Sequence, residues 1–299
     1  MTTTFDRSRE DVGNIIALEH VNLAIPDQQL ATAFYIAGMG FTRDPFLFPG
    51  LENMWINIGR SQCHLPSRGS QRLRGTIGIV TPDLQKLMQR FEKIAPRLKG
   101  TRFAFTRHAD HVDAICPWGN RFRCHAPSAQ FGSMELGMPY VEFDVPRDSA
   151  GGIARFYHEW IGAPAQLEQR ADGMVAVVNS GPEQKLLFRE TDAPLPEYDN
   201  HHIQIYIADF SGPHARLLRH GLITEESNPH QYRFRDIVDP ASGKVLYTVE
   251  HEVRSLTNPL YARPLINRNP DQTNNSYVDR KSTRLNSSHS QQSRMPSSA

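Results

Sequence analysis

Four stretches of the chain repeat one pattern, and no other feature narrows the fold as much. They are "HVNLAIPD" (20–27), "TIGIVTPD" (76–83), "YVEFDVPR" (140–147) and "HIQIYIAD" (202–209). Each alternates as a strand does, with successive side chains on opposite faces. In the first, Val21, Leu23 and Ile25 oppose His20, Asn22 and Ala24. In the last, Ile203, Ile205 and Ile207 oppose His202, Gln204 and Tyr206. An amphipathic helical stretch follows each strand, at 28–40, 84–98, 151–163 and 211–221. The first and third share a Phe-Tyr pair, Phe34-Tyr35 and Phe156-Tyr157, and Gly38, Gly40, Gly162 and Gly221 read as helix stops. Two or three short strands complete each unit. The spacing predicts an α+β fold built from βαβββ, four times over.

A smaller repeat sits inside the larger one. Cys63-His64-x-Pro66 returns as Cys124-His125-x-Pro127, each closing the last strand of its unit. Units one and two are expected to pair as a first domain over residues 16–127. A polar linker at 128–137 leads to a second paired domain over 138–256. Residues 1–15 are expected to be a disordered N-terminus, and 257–278, rich in Pro and Asn, a surface tail.

Composition excludes several classes. Hydrophobic residues make 39% and charged residues 22% of the 299 positions, as in soluble globular chains. Apolar runs fall short of the roughly 18–20 residues that a membrane helix needs. The polar start, with Asp6, Glu10 and Asp11, does not read as a secretory signal. Three cysteines, Cys63, Cys116 and Cys124, are too few for a disulfide framework, so a reducing cytoplasm is expected. Residues 279–299 back-translate into something similar to a sequencing-library adapter read in frame, and are expected to be read-through outside the fold. That segment carries Arg280, Lys281, Arg284 and Arg294 against Asp279, so without it the net charge of +1 becomes −2. Neither a nucleic-acid nor a membrane partner is expected.

The stretches "EHVNLAIPD…FYIAGMGF" (19–41), "GIVTPDL" (78–84), "PWGNRFR" (117–123) and "EFDVP…ARFYHEWIGA" (142–163) resemble the vicinal oxygen chelate superfamily. That superfamily includes glyoxalase I, the bleomycin-resistance proteins and the type I extradiol dioxygenases. The resemblance implies cupped mixed sheets, each made from two βαβββ modules. It also implies a divalent metal held by inward residues of first and fourth strands, chelating adjacent substrate oxygens. Four modules in one chain match the plan of the dioxygenases.

Carried onto this sequence, the resemblance places His20 at the first-strand ligand position, with Thr76, a poor ligand, at the matching position of unit two, and Gln62 and Arg123 where a fourth-strand Glu is usual. Because a strand repeats its face every second residue, His64 and His125 share faces with Gln62 and Arg123. His20, His64 and His125 are therefore the expected metal trio, for Fe²⁺, Zn²⁺ or Mn²⁺. In the second half, Tyr140 and His202 hold the two His positions. Glu142, His202 and Glu250 form a shifted alternative set, with Tyr140 as acid or base. Trp55, Gln62, Arg123, Gln204 and Tyr206 are the expected substrate-binding residues. His201 is expected at the surface or at a strand edge, and Cys63 and Cys124 in the core. The expected function is a metal-dependent enzyme, ring-cleaving or lyase/isomerase, acting on a small oxygenated or aromatic molecule. The alternative is a metal-free binder of the bleomycin-resistance type. Either works as a monomer or homodimer.

Overall fold

The computed structural model describes residues 7–45, 47 and 53–265. The read-through segment at 279–299, and residues 1–6 and 266–278 of the expected tails, lie outside the described residues. Unit one comprises β1 (Ile15–Asn22), α1 (Gln28–Ala31), β2 (Thr42–Arg43), β3 (Asn53–Ile58) and β4 (Ser61–Pro66). Unit two comprises β5 (Gly75–Val80), α2 (Leu84–Ile94), β6 (Ala104–Arg107), β7 (His111–Ile115) and β8 (Arg121–His125). Unit three comprises β9 (Tyr140–Pro146), α3 (Ala150–Arg155), β10 (Ala165–Arg170), β11 (Gly173–Asn179) and β12 (Lys185–Thr191). Unit four comprises β13 (His202–Ile207), α4 (Ser211–Arg219), β14 (Ile223–Asn228), β15 (Gln231–Val238) and β16 (Val245–Ser255). Among these described helices, none is long and apolar enough to cross a membrane.

The repeated Pro-Asp dipeptides are helix starts. Asp27 accepts from the backbone N–H of Gln29 and Leu30, and Asp83 from that of Lys86. Each carboxylate satisfies donors that the first helical turn leaves open. In α2, Leu84, Leu87, Phe91 and Ile94 recur at helical spacing and are all buried. The two Phe-Tyr pairs lie in π-helical turns that continue α1 over Thr32–Gly38 and α3 over Phe156–Ile161.

The units pair differently from the expected order. One eight-stranded sheet runs β14-β15-β16-β13-β1-β4-β3-β2, and the other runs β10-β11-β12-β9-β5-β8-β7-β6. Unit one joins unit four, and unit two joins unit three. The seams are antiparallel, with His20 opposite Gln204 in the first and Thr76 opposite Glu142 in the second. The second seam is a close approach that only glycine allows. A Cβ on Gly75 would lie 1.8 Å from the Glu142 carbonyl oxygen, and one on Gly78 would lie 2.5 Å from the Tyr140 ring. The expected domains, 16–127 and 138–256, are thus corrected: each sheet draws on both halves of the chain.

The core lies between the two sheets. Phe34, from the helix of unit one, packs 5.6 Å from Phe122 of β8. Tyr157, from the helix of unit three, donates its hydroxyl proton to His251 Nε2 of β16 at 2.6 Å. Helices therefore face both sheets, and burying each such aromatic stabilises the fold by about 1.5–3 kcal/mol. Cys63, Cys116 and Cys124 are buried free thiols in this layer.

Both expected tails are corrected within the described residues. Asn14 donates to the carbonyls of Ile161 and Asp209, so the segment before β1 is tied down. After β16, Asn258 and Arg263 are buried, and Asn57 donates to the carbonyl of Leu265. Residues 256–265 form a strap across the first sheet.

Candidate functional site

The site begins with an irregularity in β1. The pairing with β13 slips between Leu18 and His20, so Glu19 and His20, adjacent in sequence, can work together. His20 Nδ1 lies 3.1 Å from Glu19 Oε2 and donates to it. Tyr206 and Arg254 also donate to this carboxylate, at 3.2 Å each. With Nδ1 carrying the proton, His20 Nε2 presents a lone pair, and this buried atom has no hydrogen-bond partner. A carboxylate that fixes the tautomer and direction of a histidine is the usual support behind a metal-binding imidazole.

Register brings the rest onto the same face. On β13, His202 sits opposite Asn22 and Gln204 opposite His20. On β16, Glu250 is beside His202 and Glu252 beside Gln204. Donor atoms of His20, His202 and Glu252 all lie within 4.8 Å of one another. His202 Nε2, and both amide atoms of Gln204, are buried without hydrogen-bond partners. Arg233 donates to Glu250 Oε1 at 2.6 Å and also binds Glu252, which Arg254 grips from its other oxygen.

Burial sets the protonation of this cluster. Desolvation holds His20, His64 and His202 well below the ordinary histidine range, and the nearby guanidinium groups push them further down. All three are neutral at physiological pH, the form that ligates metals. Burial raises the Glu19 carboxyl, against the opposing pull of Arg254.

Two neutral imidazoles and one carboxylate fit a first-row divalent ion. Bonds of about 2.0–2.2 Å place donors on one ion roughly 3–4 Å apart, so the trio needs only a slight contraction. Glu252 keeps lone pairs beyond those its two arginines use, since a carboxylate offers about four.

His64 lines this cup rather than completing it. Its ring stacks on Trp55 at 4.0 Å, and its Nε2 donates to Asn53 Oδ1 at 2.6 Å. Gln62 is locked away: it donates to Asp44 Oδ2 at 2.8 Å and accepts from Arg263 at 3.1 Å. Arg263 also pairs with Asp44 at 2.6 Å, and Tyr261 packs 4.9 Å from Tyr206. The strap thus closes over one side of the cup. A cavity of about 860 Å³ flanks it, with Glu19, Tyr206 and Arg263 in its wall beside Met134, Tyr261 and Leu265.

The expected site residues divide between the two sheets. His20, His64, His202, Glu250, Gln62, Trp55, Gln204 and Tyr206 share the first. His125, Arg123, Tyr140 and Glu142 belong to the second, so neither the trio His20, His64 and His125 nor the set Glu142, His202 and Glu250 shares one site. His125 instead bonds Tyr140 across 2.9 Å, and burial lowers its pKa to about 4. Arg123 forks Asp113, while Glu142 faces Arg189 at 3.4 Å and Arg170 at 3.8 Å. The Tyr140 ring lies against Gly78, where a Cβ would meet it at 2.5 Å. His201 is buried, not exposed, with Nδ1 donating to Asp199 at 2.7 Å.

Glu19, Arg233, Glu252, Arg254 and Arg263 are absent from the sequence reading. Glu252 was within reach of it, two positions past Glu250 on the same face of an alternating strand. Glu19 was not, because alternation assigns it the face opposite His20 and only the bulge reverses that.

No protein-family model matches the sequence, and none of the curated proteins does. Solved structures do. A putative dioxygenase from Bacillus subtilis aligns over 95% of this chain and 97% of its own, with TM-score 0.58 and 12% identity. Glyoxalase I from Zea mays aligns over 80% of this chain and 92% of its own, with TM-score 0.57 and 14% identity. The fold is the one that these two solved structures share. At these identities the likeness concerns the fold alone, which here is two eight-stranded sheets.

Proposed function

We propose that the cup formed by units one and four is the active site of a metal-dependent enzyme acting on a small molecule with adjacent oxygen atoms. The observation that carries this reading is the convergence of His20, His202 and Glu252 within 4.8 Å, with both His20 Nε2 and His202 Nε2 buried and unpartnered. Leaving such atoms unsatisfied costs about 1–3 kcal/mol each, a cost that a bound group offsets. His20, His202 and Glu252 would hold the ion, which would supply Lewis acidity toward two substrate oxygens. Gln204 offers a donor and an acceptor to the substrate. Trp55 and His64 provide a stacked wall for a planar group. Glu19 keeps the His20 lone pair aimed inward, and the strap around Arg263 limits water. Ring cleavage and lyase/isomerase chemistry are both within the repertoire this set supports.

A second reading rests on the grip of Arg233 and Arg254 on Glu252. If those pairs persist, the cup is a metal-free pocket for an aromatic ligand.

The test is elemental analysis of the full chain, stripped and reloaded with Fe²⁺, Zn²⁺ or Mn²⁺. Bound metal should fall by about one equivalent in His202→Ala and in Glu252→Gln, since losing a ligand removes most of the affinity. Metal content unchanged in both variants would exclude the enzyme reading, and retained affinity for an aromatic ligand would then favour the pocket.

A further inference from the structure

A second cluster of metal-ligating side chains lies on the other sheet. The segment from β6 into β7 reads "RHADHVD" (107–113), and β6 is the free edge of its sheet. Alternation on β7 puts His111 and Asp113 on one face. His108, from the connecting turn, stacks on His111 with ring centroids 4.4 Å apart and planes 17° from parallel. Asp113 faces both rings. Its Oδ2 is 3.3 Å from His108 Nε2, and its Oδ1 is 3.5 Å from His111 Nε2. Donor atoms of the three residues all lie within 4.8 Å of one another.

The hydrogen bonds around the cluster define what is missing from it. His111 Nδ1 lies 2.7 Å from Asp110 Oδ1 and donates its proton there. With Nδ1 as the donor, Nε2 is left as the ring's acceptor, and that buried atom has no hydrogen-bond partner. A nitrogen lone pair facing a carboxylate oxygen at 3.5 Å is repulsive unless a cation stands between them. The Asp110–His111 contact is also the carboxylate support expected behind a metal-bound imidazole. Arg123 forks Asp113 from another side, Nε to Oδ1 at 2.8 Å and Nη2 to Oδ2 at 3.2 Å. That fork fixes the carboxylate plane and still leaves lone pairs for a second cation.

We propose that His108, His111 and Asp113 form a binding site for a first-row divalent metal ion of the zinc class. Two imidazoles and a carboxylate select such ions over calcium or magnesium. The His108 side chain is 42% exposed, so a fourth position opens to water or to an external donor. The site joins the hairpin turn to β7 at a sheet edge, and it is independent of the cup.

The experiment separates the two centres. The chelator-treated full chain carrying His202→Ala, which disables the cup, is titrated with Co²⁺ and followed by its visible absorption. About one equivalent should still bind. Adding His111→Ala should weaken that binding at least about 100-fold, and adding Asp110→Asn instead should weaken it about 10–100-fold. Neither side chain is in the core, and circular dichroism checks that each variant folds. Co²⁺ binding in the His202→Ala chain that is unchanged by His111→Ala would overturn the proposal. So would no binding at all. Loss of metal confined to His111→Ala, with His202→Ala neutral, would uphold this site and refute the cup.

Discussion

Removing Arg263 tests whether the strap is part of the cup or merely rests on it. The Arg263 and Asp44 side chains are 2% and 0% exposed and meet at 2.6 Å, so solvent screening hardly weakens them. Truncating one partner of a buried pair costs about 3–5 kcal/mol, because the other charge stays buried. Here Asp44 keeps hydrogen bonds from Gln62 at 2.8 Å and from the Leu47 backbone at 2.9 Å. Those two donors place Arg263→Ala at the lower end, about 3 kcal/mol. Asp44→Asn alone should cost a similar amount, since it removes the buried carboxylate that the guanidinium meets. The double variant should cost clearly less than the two singles together, with a coupling of about 2 kcal/mol. Urea denaturation of the four proteins measures this. A coupling below about 0.5 kcal/mol would refute the argument and reduce the strap to a surface segment.

Stability should also depend on acid through His251. Burial lowers its pKa from 6.5 to about 3, so between those values the unfolded chain binds a proton that the folded chain refuses. Folding stability is therefore complete above about pH 6.5 and falls as pH drops, by about 1.4 kcal/mol per pH unit from this group. His251→Phe should remove that part of the slope between pH 6 and 4, and an unchanged slope in denaturant titrations would contradict the assignment. The seam between units two and three makes a further prediction. Gly75→Ala drives a methyl group to 1.8 Å from the Glu142 carbonyl oxygen, where backbone cannot step aside. It should cost about 3 kcal/mol or more in thermal or urea denaturation, beyond an ordinary overpacked site, and a near-neutral result would mean that the seam is drawn wrongly.

The βαβββ units were legible because the stretches 20–27, 76–83, 140–147 and 202–209 alternate, and because Asp27 and Asp83 mark helix starts by a purely local device. Their pairing was not legible. Duplicated units offer equivalent edges, and the features that choose among them are contacts such as Gly75 against Glu142, between residues far apart in sequence. The same equivalence misled the site. His64 and His125 share a phrase, so they were assigned to one cup, although β4 and β8 end in different sheets. His20 and His202 were legible as candidates, each opening its alternating stretch. Glu19 required a bulge that alternation alone does not reveal, and Arg263 required a chain path that no local pattern encodes.

The order in which the sheets are threaded has a consequence for how the protein is made. Units two and three are neighbours along the chain and can complete their sheet while the ribosome is still adding unit four. The sheet that carries the imidazoles cannot, because β1 must wait for β13, β16 and the strap, all encoded near the end. During synthesis, then, the inner half is a finished body held between two unfinished quarters, and β1 presents an open edge until its distant partner emerges.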